Sequence, residues 1–262
     1  MFEKRLKNRM VLKSKFAKRE KVFGGWVSFR EPAIAETFAR IGFDFVAIDM
    51  EHTTISIDDA NRIITSVQSE NSVCLPRQVS HNNDYMKPLL EAGCDGVMFP
   101  MVNSEEDVKL ILNNFKFPPL GKRSFGVNRA HGYGLEFDKY ISTWNDSGLL
   151  IIQIESMAAV ENIEEILKIK EIDAVMVGPY DISGSLDVPG QTAHPEVRKA
   201  CRKVIEACER TEISCVTQIA EANADNIKDS FEQGFTSVIL GSDLFIISNW
   251  AKEMRILMDK MY

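Results

Sequence analysis

The sequence predicts an α/β protein that folds as a (β/α)8 barrel, or TIM barrel. Short apolar runs alternate with segments of helical periodicity, which is typical of buried parallel strands joined by helices. Several of these runs end in polar or acidic residues, at the positions where a barrel carries its functional groups. A chain of 262 residues with 45% hydrophobic residues can bury one such core. We therefore expect one barrel domain over residues 1–262, with an N-terminal helix and one long insert.

Residues 1–20 are rich in lysine and arginine and carry apolar side chains at helical spacing, among them Leu6, Met10 and Phe16. A secretory signal would need a continuous apolar core after the basic region, and that core is absent. The segment is therefore predicted to be an amphipathic helix that caps the bottom of the barrel. A membrane-surface or targeting role is the alternative.

The predicted strands have the length and composition of buried parallel strands, and helical periods separate them. Helix-capping signals occur at Ser56 with Asp59, and at Ser104 with Asp107. An open doubly wound sheet is the alternative fold, but no Gly-x-Gly-x-x-Gly follows the first strand. The predicted strands are Val22–Phe29, Phe43–Met50, Val73–Val79, Gly96–Val102, Leu149–Glu155, Ala174–Gly178, Ser214–Ile219 and Ser237–Gly241.

The insert extends over residues 118–148, between the fourth helix and the fifth strand. It contains several glycines together with the basic residues Lys122, Arg123 and Arg129. Long ordered connections are usually functional or lie at interfaces, and a solvated surface excursion is the alternative.

Composition excludes several classes of protein. The formal net charge of −7 argues against a nucleic-acid surface, which usually requires a basic face. The five cysteines are odd in number and scattered, as expected for reduced cysteines in a cytoplasmic protein. No apolar stretch approaches the length of a membrane span, so no membrane contact is expected.

Two neighbouring strands end in carboxylates. Glu155 closes one apolar run, and Asp181 follows the next run along the chain. Two hard oxygen ligands at adjacent strand ends could hold a divalent cation such as Mg²⁺ or Mn²⁺. Alternatively, both acids cap helices.

Further polar residues occur at other strand ends. Asp49 and His52 are close enough in sequence for a hydrogen bond that would orient the imidazole and raise its basicity, as acid–base catalysis requires. Arg77 ends an apolar strand and must find an anion, from either the protein or a substrate. Gln153 points to the same face as Glu155, which suggests a hydrogen bond inside a pocket.

No predicted strand contains a lysine. An aldolase that works through a Schiff base needs a lysine in the barrel mouth, so that route is disfavoured. Stabilisation of an enolate by a metal ion remains available.

These motifs resemble the HpcH/HpaI aldolase family, within the pyruvate/phosphoenolpyruvate barrel superfamily. The resemblance extends in the correct order from Phe23 to Leu244. It implies an aldehyde-lyase that uses Mg²⁺, Mn²⁺ or Co²⁺ to cleave a 4-hydroxy-2-oxo acid into pyruvate and an aldehyde through a metal-stabilised enolate. The motifs are Asp49-x-Glu51-His52, Arg77, Gln153-x-Glu155-Ser156 and Gly178-Pro179-x-Asp181-x-Ser183.

The resemblance also implies roles for individual residues. Glu155 and Asp181 would ligate the metal, and Arg77 would bind the keto-acid end of pyruvate and help to neutralise the enolate. His52, oriented by Asp49, would transfer protons. The remaining substrate-binding residues would be Gln153 and the backbone around Gly178, Pro179, Tyr180 and Asp181.

The insert resembles the family's loop that reaches the active site of a neighbouring subunit, through Arg123 and Arg129. That implies a homo-oligomer, a hexamer built as a trimer of dimers. Departures from the family pattern at Thr53-Thr54, Gln78-Val79 and Tyr180 lie around the aldehyde half of the pocket and leave the aldehyde open.

Two alternative functions remain. One is an acyl-CoA lyase of the citrate lyase β or malyl-CoA lyase type, for which Lys122, Arg123 and Arg129 would supply basic residues near the pocket mouth. The other is a non-catalytic barrel, which predicts a degraded metal site, yet both candidate ligands are present.

Overall fold

The computed structural model describes residues 2–262. Its strands are β1 (Val22–Val27), β2 (Phe45–Asp49), β3 (Val73–Arg77), β4 (Gly96–Phe99), β5 (Leu149–Ile154), β6 (Ala174–Val177), β7 (Ser214–Ile219) and β8 (Ser237–Leu240). Each strand pairs in parallel with the next along the chain, and β8 pairs with β1, so the barrel is closed. The predicted (β/α)8 barrel is confirmed, and every observed strand lies within its predicted range.

Helices cover the outside of the barrel and one of its ends. They are α1 (Phe2–Ala17), α2 (Pro32–Arg40), α3 (Ile57–Ser69), α4 (Asn83–Glu91), α5 (Glu105–Phe115), α6 (Phe137–Ser147), α7 (Met157–Glu161), α8 (Ile163–Ile166), α9 (Pro179–Ser185), α10 (Pro195–Arg210), α11 (Ala224–Glu232) and α12 (Asp243–Asp259). The two predicted capping boxes form at α3 and α5, where the serine and aspartate side chains each accept the other's backbone N–H.

The barrel interior follows from strand alternation, because side chains two residues apart point to the same face. Leu75 and Ile151 are fully buried in the interior cluster. Two residues further along the same strands are Arg77 and Gln153, so both polar side chains emerge at the C-terminal end of the barrel, above an apolar floor.

Helix α1 covers the opposite, N-terminal end. Its Leu12 and Phe16 pack in the interior cluster with residues from the beginnings of the strands, and both are almost completely buried. Lys13 and Lys15 each lie 2.6 Å from an aspartate that precedes a strand, Asp173 and Asp44 respectively. The predicted amphipathic helix therefore forms and closes the bottom of the barrel.

The insert differs from the sequence prediction because it is not all loop. Residues 137–147 form α6, whose Tyr140 and Trp144 are fully buried one turn apart. Ahead of α6 lies a short 3-10 segment, Arg129–Gly134, with left-handed backbone at Gly132 and Tyr133. The glycines that mark the start of the insert conceal this helix in the sequence pattern.

Helix α12 is an exception among the long helices because only Asp243 in it is buried. An apolar stripe along α12, defined as Ile247, Trp250, Leu257 and Met258, is about half exposed, with Trp250 at 61%. Within residues 2–262, no helix combines the length and apolarity needed to cross a bilayer.

Candidate active site

A cavity of about 660 Å³ opens at the C-terminal end of the barrel. Catalytic groups of barrels of this type lie at this end. The cavity is lined by all the residues for which the sequence predicted a catalytic, substrate-binding or metal-binding role on this chain: Asp49, His52, Arg77, Gln153, Glu155, Gly178, Pro179, Tyr180 and Asp181.

The guanidinium of Arg77 is held by two carboxylates of the β2 end. Its Nη2 lies 2.7 Å from Asp49 Oδ1, and its Nη1 lies 3.1 Å from Glu51 Oε2. The ring of Trp26 stacks below, 4.8 Å from the guanidinium carbon. The sequence left open whether this anion comes from the protein or from a substrate, and in the structure protein carboxylates fill that role.

Asp49 does not orient the His52 imidazole, contrary to the sequence prediction. Asp49 Oδ1 accepts the backbone N–H groups of Glu51 and His52, at 3.1 and 3.2 Å, while the same oxygen accepts Arg77. The imidazole Nε2 instead lies 3.7 Å from Glu51 Oε2. The physical reason is the tight turn after β2, which folds the backbone over the carboxylate, and the parallel register, which pairs Asp49 with Arg77.

Gln153 and Glu155 form the next part of the cavity wall. The Gln153 amide donates to Glu155 Oε2 at 3.1 Å and accepts a long hydrogen bond from Arg77 Nη1 at 3.5 Å. The other carboxylate oxygen of Glu155 accepts the Met101 backbone N–H at 2.6 Å. Met101 has φ +52°, a left-handed conformation that is uncommon outside glycine. Glu155 is therefore fixed from both sides.

Three carboxylates influence one another electrostatically here. Burial raises the pKa of Glu155 to about 7; the Met101 hydrogen bond opposes this effect, and the charges of Glu51 and Asp181 add to it. Burial also raises the pKa of Glu51, opposed by Arg77. Glu51 Oε2 is buried without a hydrogen bond of good geometry, although Arg77 is within ion-pairing distance. A site with this excess of negative charge fits a bound cation.

The candidate metal ligands contribute two carboxylates. Glu155 is buried, whereas Asp181 lies in the first turn of α9 and is exposed. A Cβ at position 178 would lie 2.9 Å from Glu155 Oε2, so glycine keeps the space beside this oxygen open. Within residues 2–262 no group of three or more His, Cys, Asp or Glu side chains could hold a metal. Mg²⁺ commonly takes one or two carboxylates and completes its shell with water and substrate oxygens, which this pair fits.

Arg123 and Arg129 do not line the cavity of their own chain. Arg123 is almost fully buried; it packs against the rings of Phe117 and Tyr140 and lies 3.3 Å from Glu91. Arg129 Nη1 donates to the Ala92 carbonyl at 2.8 Å. Both arginines hold the insert against the bottom half of their own barrel.

Sequence reasoning did not assign a role to three residues that shape the site. Glu51 belongs to the motif Asp49-x-Glu51-His52, and its spacing of two from Asp49 is a signal that could have placed both carboxylates near one partner. Trp26 occupies an inward position of β1, detectable by alternation from the interior residue Val22. Met101 acts through its backbone N–H and a left-handed turn, for which the sequence gives no signal.

Comparison with known proteins points to one family. The family model described as HpcH/HpaI aldolase/citrate lyase matches residues 23–249. A 2-keto-3-deoxy-L-rhamnonate aldolase of Salmonella typhi is 33% identical over 193 residues, which is 73% of this chain and 70% of that protein.

Solved structures give the same result. An HpcH/HpaI aldolase from Desulfitobacterium hafniense is 27% identical, with a TM-score of 0.84 over 94% of this chain and 95% of that one. A family protein from Burkholderia cenocepacia shares the fold at a TM-score of 0.89 and 24% identity, over 95% of this chain and 99% of that one. The chain therefore belongs to the HpcH/HpaI aldolase/citrate lyase family.

Proposed function

We propose that this protein is a divalent-metal-dependent aldolase, a carbon–carbon lyase that cleaves a 4-hydroxy-2-oxo acid into pyruvate and an aldehyde. The main support is the arrangement of Arg77, Gln153 and Glu155 as one connected group on the cavity wall. An anion-binding side chain thus lies beside a candidate metal ligand. Together the two could hold the carboxylate and the keto oxygen of an α-keto acid.

Glu155 and Asp181 would hold Mg²⁺, Mn²⁺ or Co²⁺. When bound, the metal would supply a Lewis acid that stabilises negative charge on the keto oxygen of the substrate. Glu155 is prepared for this role because Met101 and Gln153 fix its carboxylate before any ligand arrives.

Arg77 would bind the keto-acid end of pyruvate and help to neutralise the enolate. A guanidinium has five N–H donors; two contact Asp49, one contacts Glu51 and one contacts Gln153, so one N–H remains for a substrate. The two carboxylates and the Trp26 ring fix the plane of the guanidinium, which reduces the ordering required on binding. The amide of Gln153 and the backbone around Gly178 to Asp181 would complete the pyruvate contacts.

His52 would transfer the proton. In cleavage, its imidazole takes the proton of the 4-hydroxyl, the bond between carbons 3 and 4 breaks, and the carbonyl of the aldehyde forms. The electron pair of the broken bond stays on the other fragment as the pyruvate enolate, whose methylene carbon then takes a proton to give pyruvate. The His52 side chain lines the cavity and is 64% exposed, so it can reach a substrate directly or through water.

One observation weighs against the acyl-CoA lyase alternative. None of the basic residues of the insert that would meet a thioester tail lines the cavity of this chain: Arg123 and Arg129 are engaged within their own barrel, and Lys122 is exposed outside the cavity. A non-catalytic role is disfavoured by the retention of both candidate metal ligands and of the fixed Arg77.

A homo-oligomer is part of the proposal, and its support comes from α12. The stripe formed by Ile247, Trp250, Leu257 and Met258 is exposed in the single chain. Outward-facing Phe23 and Leu240, on the adjacent strands β1 and β8, are only half-buried. Exposed apolar stripes of this kind mark protein contacts. A hexamer built as a trimer of dimers stays an expectation.

The test of the proposed function is an aldol screen. Purified protein is incubated with pyruvate and a panel of aldehydes, with and without a chelator, and products are read by mass. Metal-dependent formation of a 4-hydroxy-2-oxo acid supports the proposal, and cleavage of malyl- or citramalyl-CoA in its place contradicts it.

A further inference from the structure

Carboxylates outnumber lysine and arginine side chains at the cavity. Among the residues that line it, Arg77 is the one lysine or arginine, and two carboxylates already neutralise it. Glu155 and Asp181 line the cavity in addition to Asp49, which is one of those two carboxylates. If Arg77 and a metal hold the keto-acid half of the substrate, the lining residues of this chain offer no further lysine or arginine to a second anionic group.

Another part of the wall, next to Asp181, is apolar. Tyr180 lies in the first turn of α9 after β6, and Leu244 and Phe245 lie in the first turn of α12 after β8, so the three side chains flank the same arc of the barrel. We call them the apolar corner. They are 69%, 46% and 37% exposed, respectively, so a ligand could cover part of their apolar surface. The polar residues that line the cavity on this arc, Thr192, Gln218 and Ser242, are uncharged.

We propose that the preferred acceptor aldehyde is uncharged and ends in an aliphatic or aromatic group that packs on the apolar corner. This inference rests on the proposed aldolase function and names the substrate class of the same cavity. The cavity of about 660 Å³ is in the usual range for drug-sized ligands and leaves room beyond three-carbon pyruvate.

Two physical effects give this preference. Covering exposed apolar side chains with an alkyl or aryl group removes apolar surface from water on both partners. A carboxylate or phosphate at the same place would lose hydration beside Glu155 and Asp181 without gaining a cation, which disfavours it strongly. A polyhydroxylated aldehyde would lose water at its hydroxyl groups wherever it faces the corner.

The test compares aldehydes that are matched in length. The whole protein, supplied with Mg²⁺ and pyruvate, is assayed for kcat/KM with butanal against succinic semialdehyde, with propanal against glyceraldehyde, and with benzaldehyde. We expect each alkyl aldehyde to exceed its charged or hydroxylated counterpart by at least about tenfold, within the range that hydrophobic pockets discriminate. Benzaldehyde should be accepted. Equal or better use of succinic semialdehyde or glyceraldehyde overturns the inference.

Substitutions in the apolar corner test whether these side chains cause the preference for alkyl aldehydes. Leu244→Gln and Tyr180→Gln, on separate helices, should each lower the ratio of butanal to succinic semialdehyde several-fold. Leu110→Gln is the control, since Leu110 is similarly exposed, at 51% against 46% for Leu244, and does not line the cavity. A ratio is used because it cancels any loss of folded protein. An unchanged ratio in both corner variants overturns the role of the corner.

A separate readout distinguishes this inference from the proposed function. Exchange of the methyl protons of pyruvate with solvent deuterium reports enolisation and needs no aldehyde. Exchange without discrimination among aldehydes overturns the inference alone. Absence of both exchange and aldol products overturns the proposed function, and the inference with it.

Discussion

The carboxylate of Asp49 lies 2.7 Å from Nη2 of Arg77, and both side chains are more than nine-tenths buried. They occupy paired positions on the neighbouring strands β2 and β3, at the level where the barrel opens into the cavity. Asp49 is therefore a positioning residue for the arginine rather than for the histidine beside it in sequence.

The first prediction follows from this pair. Asp49→Asn removes a charge partner from a buried guanidinium, a change that costs about 3–5 kcal/mol when nothing compensates. Because Glu51 remains within 3.1 Å of Arg77, we expect a smaller loss of stability together with a raised KM for pyruvate. Thermal unfolding and steady-state kinetics measure the two effects. Asp58→Asn, at an exposed acid of the same βα unit, is the control. An unchanged KM for pyruvate would contradict the positioning role.

The second prediction concerns Arg77 itself. Arg77→Ala should lower the rate of pyruvate methyl-proton exchange by about 10²–10³, the usual cost of removing a donor aimed at developing negative charge. Arg77→Lys should restore little of this rate, because an ammonium cannot reproduce the planar contacts with Asp49, Glu51 and Trp26. Exchange at the wild-type rate in Arg77→Ala would remove Arg77 from the mechanism, and full recovery in Arg77→Lys would contradict the need for a planar guanidinium.

The third prediction concerns His52. His52→Ala should lower kcat for aldol cleavage by about 10²–10⁴, with the KM for pyruvate little changed. Decarboxylation of oxaloacetate, where the protein catalyses it, gives the same enolate without removing a hydroxyl proton and should be affected less. Equal loss of both activities, or loss of neither, would identify His52 as a structural residue.

The fourth prediction concerns assembly. Trp250→Glu places a charge in the middle of the exposed stripe of α12 and should dissociate the oligomer in sedimentation velocity. Leu110→Glu, on the exposed face of α5, is the matched control and should leave the sedimentation coefficient unchanged. A wild-type protein that sediments as a monomer would contradict the proposed oligomer.

Strand periodicity explains why much of this site was predictable. Arg77 and Gln153 each follow an interior apolar residue by two positions, so alternation alone places them in the barrel mouth. The partners of Asp49 were not predictable, because they depend on the register between β2 and β3 and on the turn after β2. The same limit applies to Met101, which acts through its backbone.

Two features outside the site show where local sequence patterns mislead. Helix α6 was missed because glycines at the start of the insert suggested a loop, although Tyr140 and Trp144 have helical spacing. The arginines of the insert gave no sequence signal of burial, but Arg123 packs among aromatic side chains of its own chain, and a contact of the insert with a neighbouring subunit stays a prediction. Helix α6 and the burial of Arg123 both depend on contacts between segments that are distant in sequence.

We propose above all that Glu155 and Asp181 hold a metal ion that promotes enolisation of pyruvate. The most direct measurement is the exchange of pyruvate methyl protons with solvent deuterium, followed by NMR. We expect exchange to disappear after exhaustive chelation, to return with Mg²⁺, Mn²⁺ or Co²⁺, and to be absent at every metal concentration in folded Glu155→Gln and Asp181→Asn. Undiminished exchange in the chelated wild-type protein would contradict it.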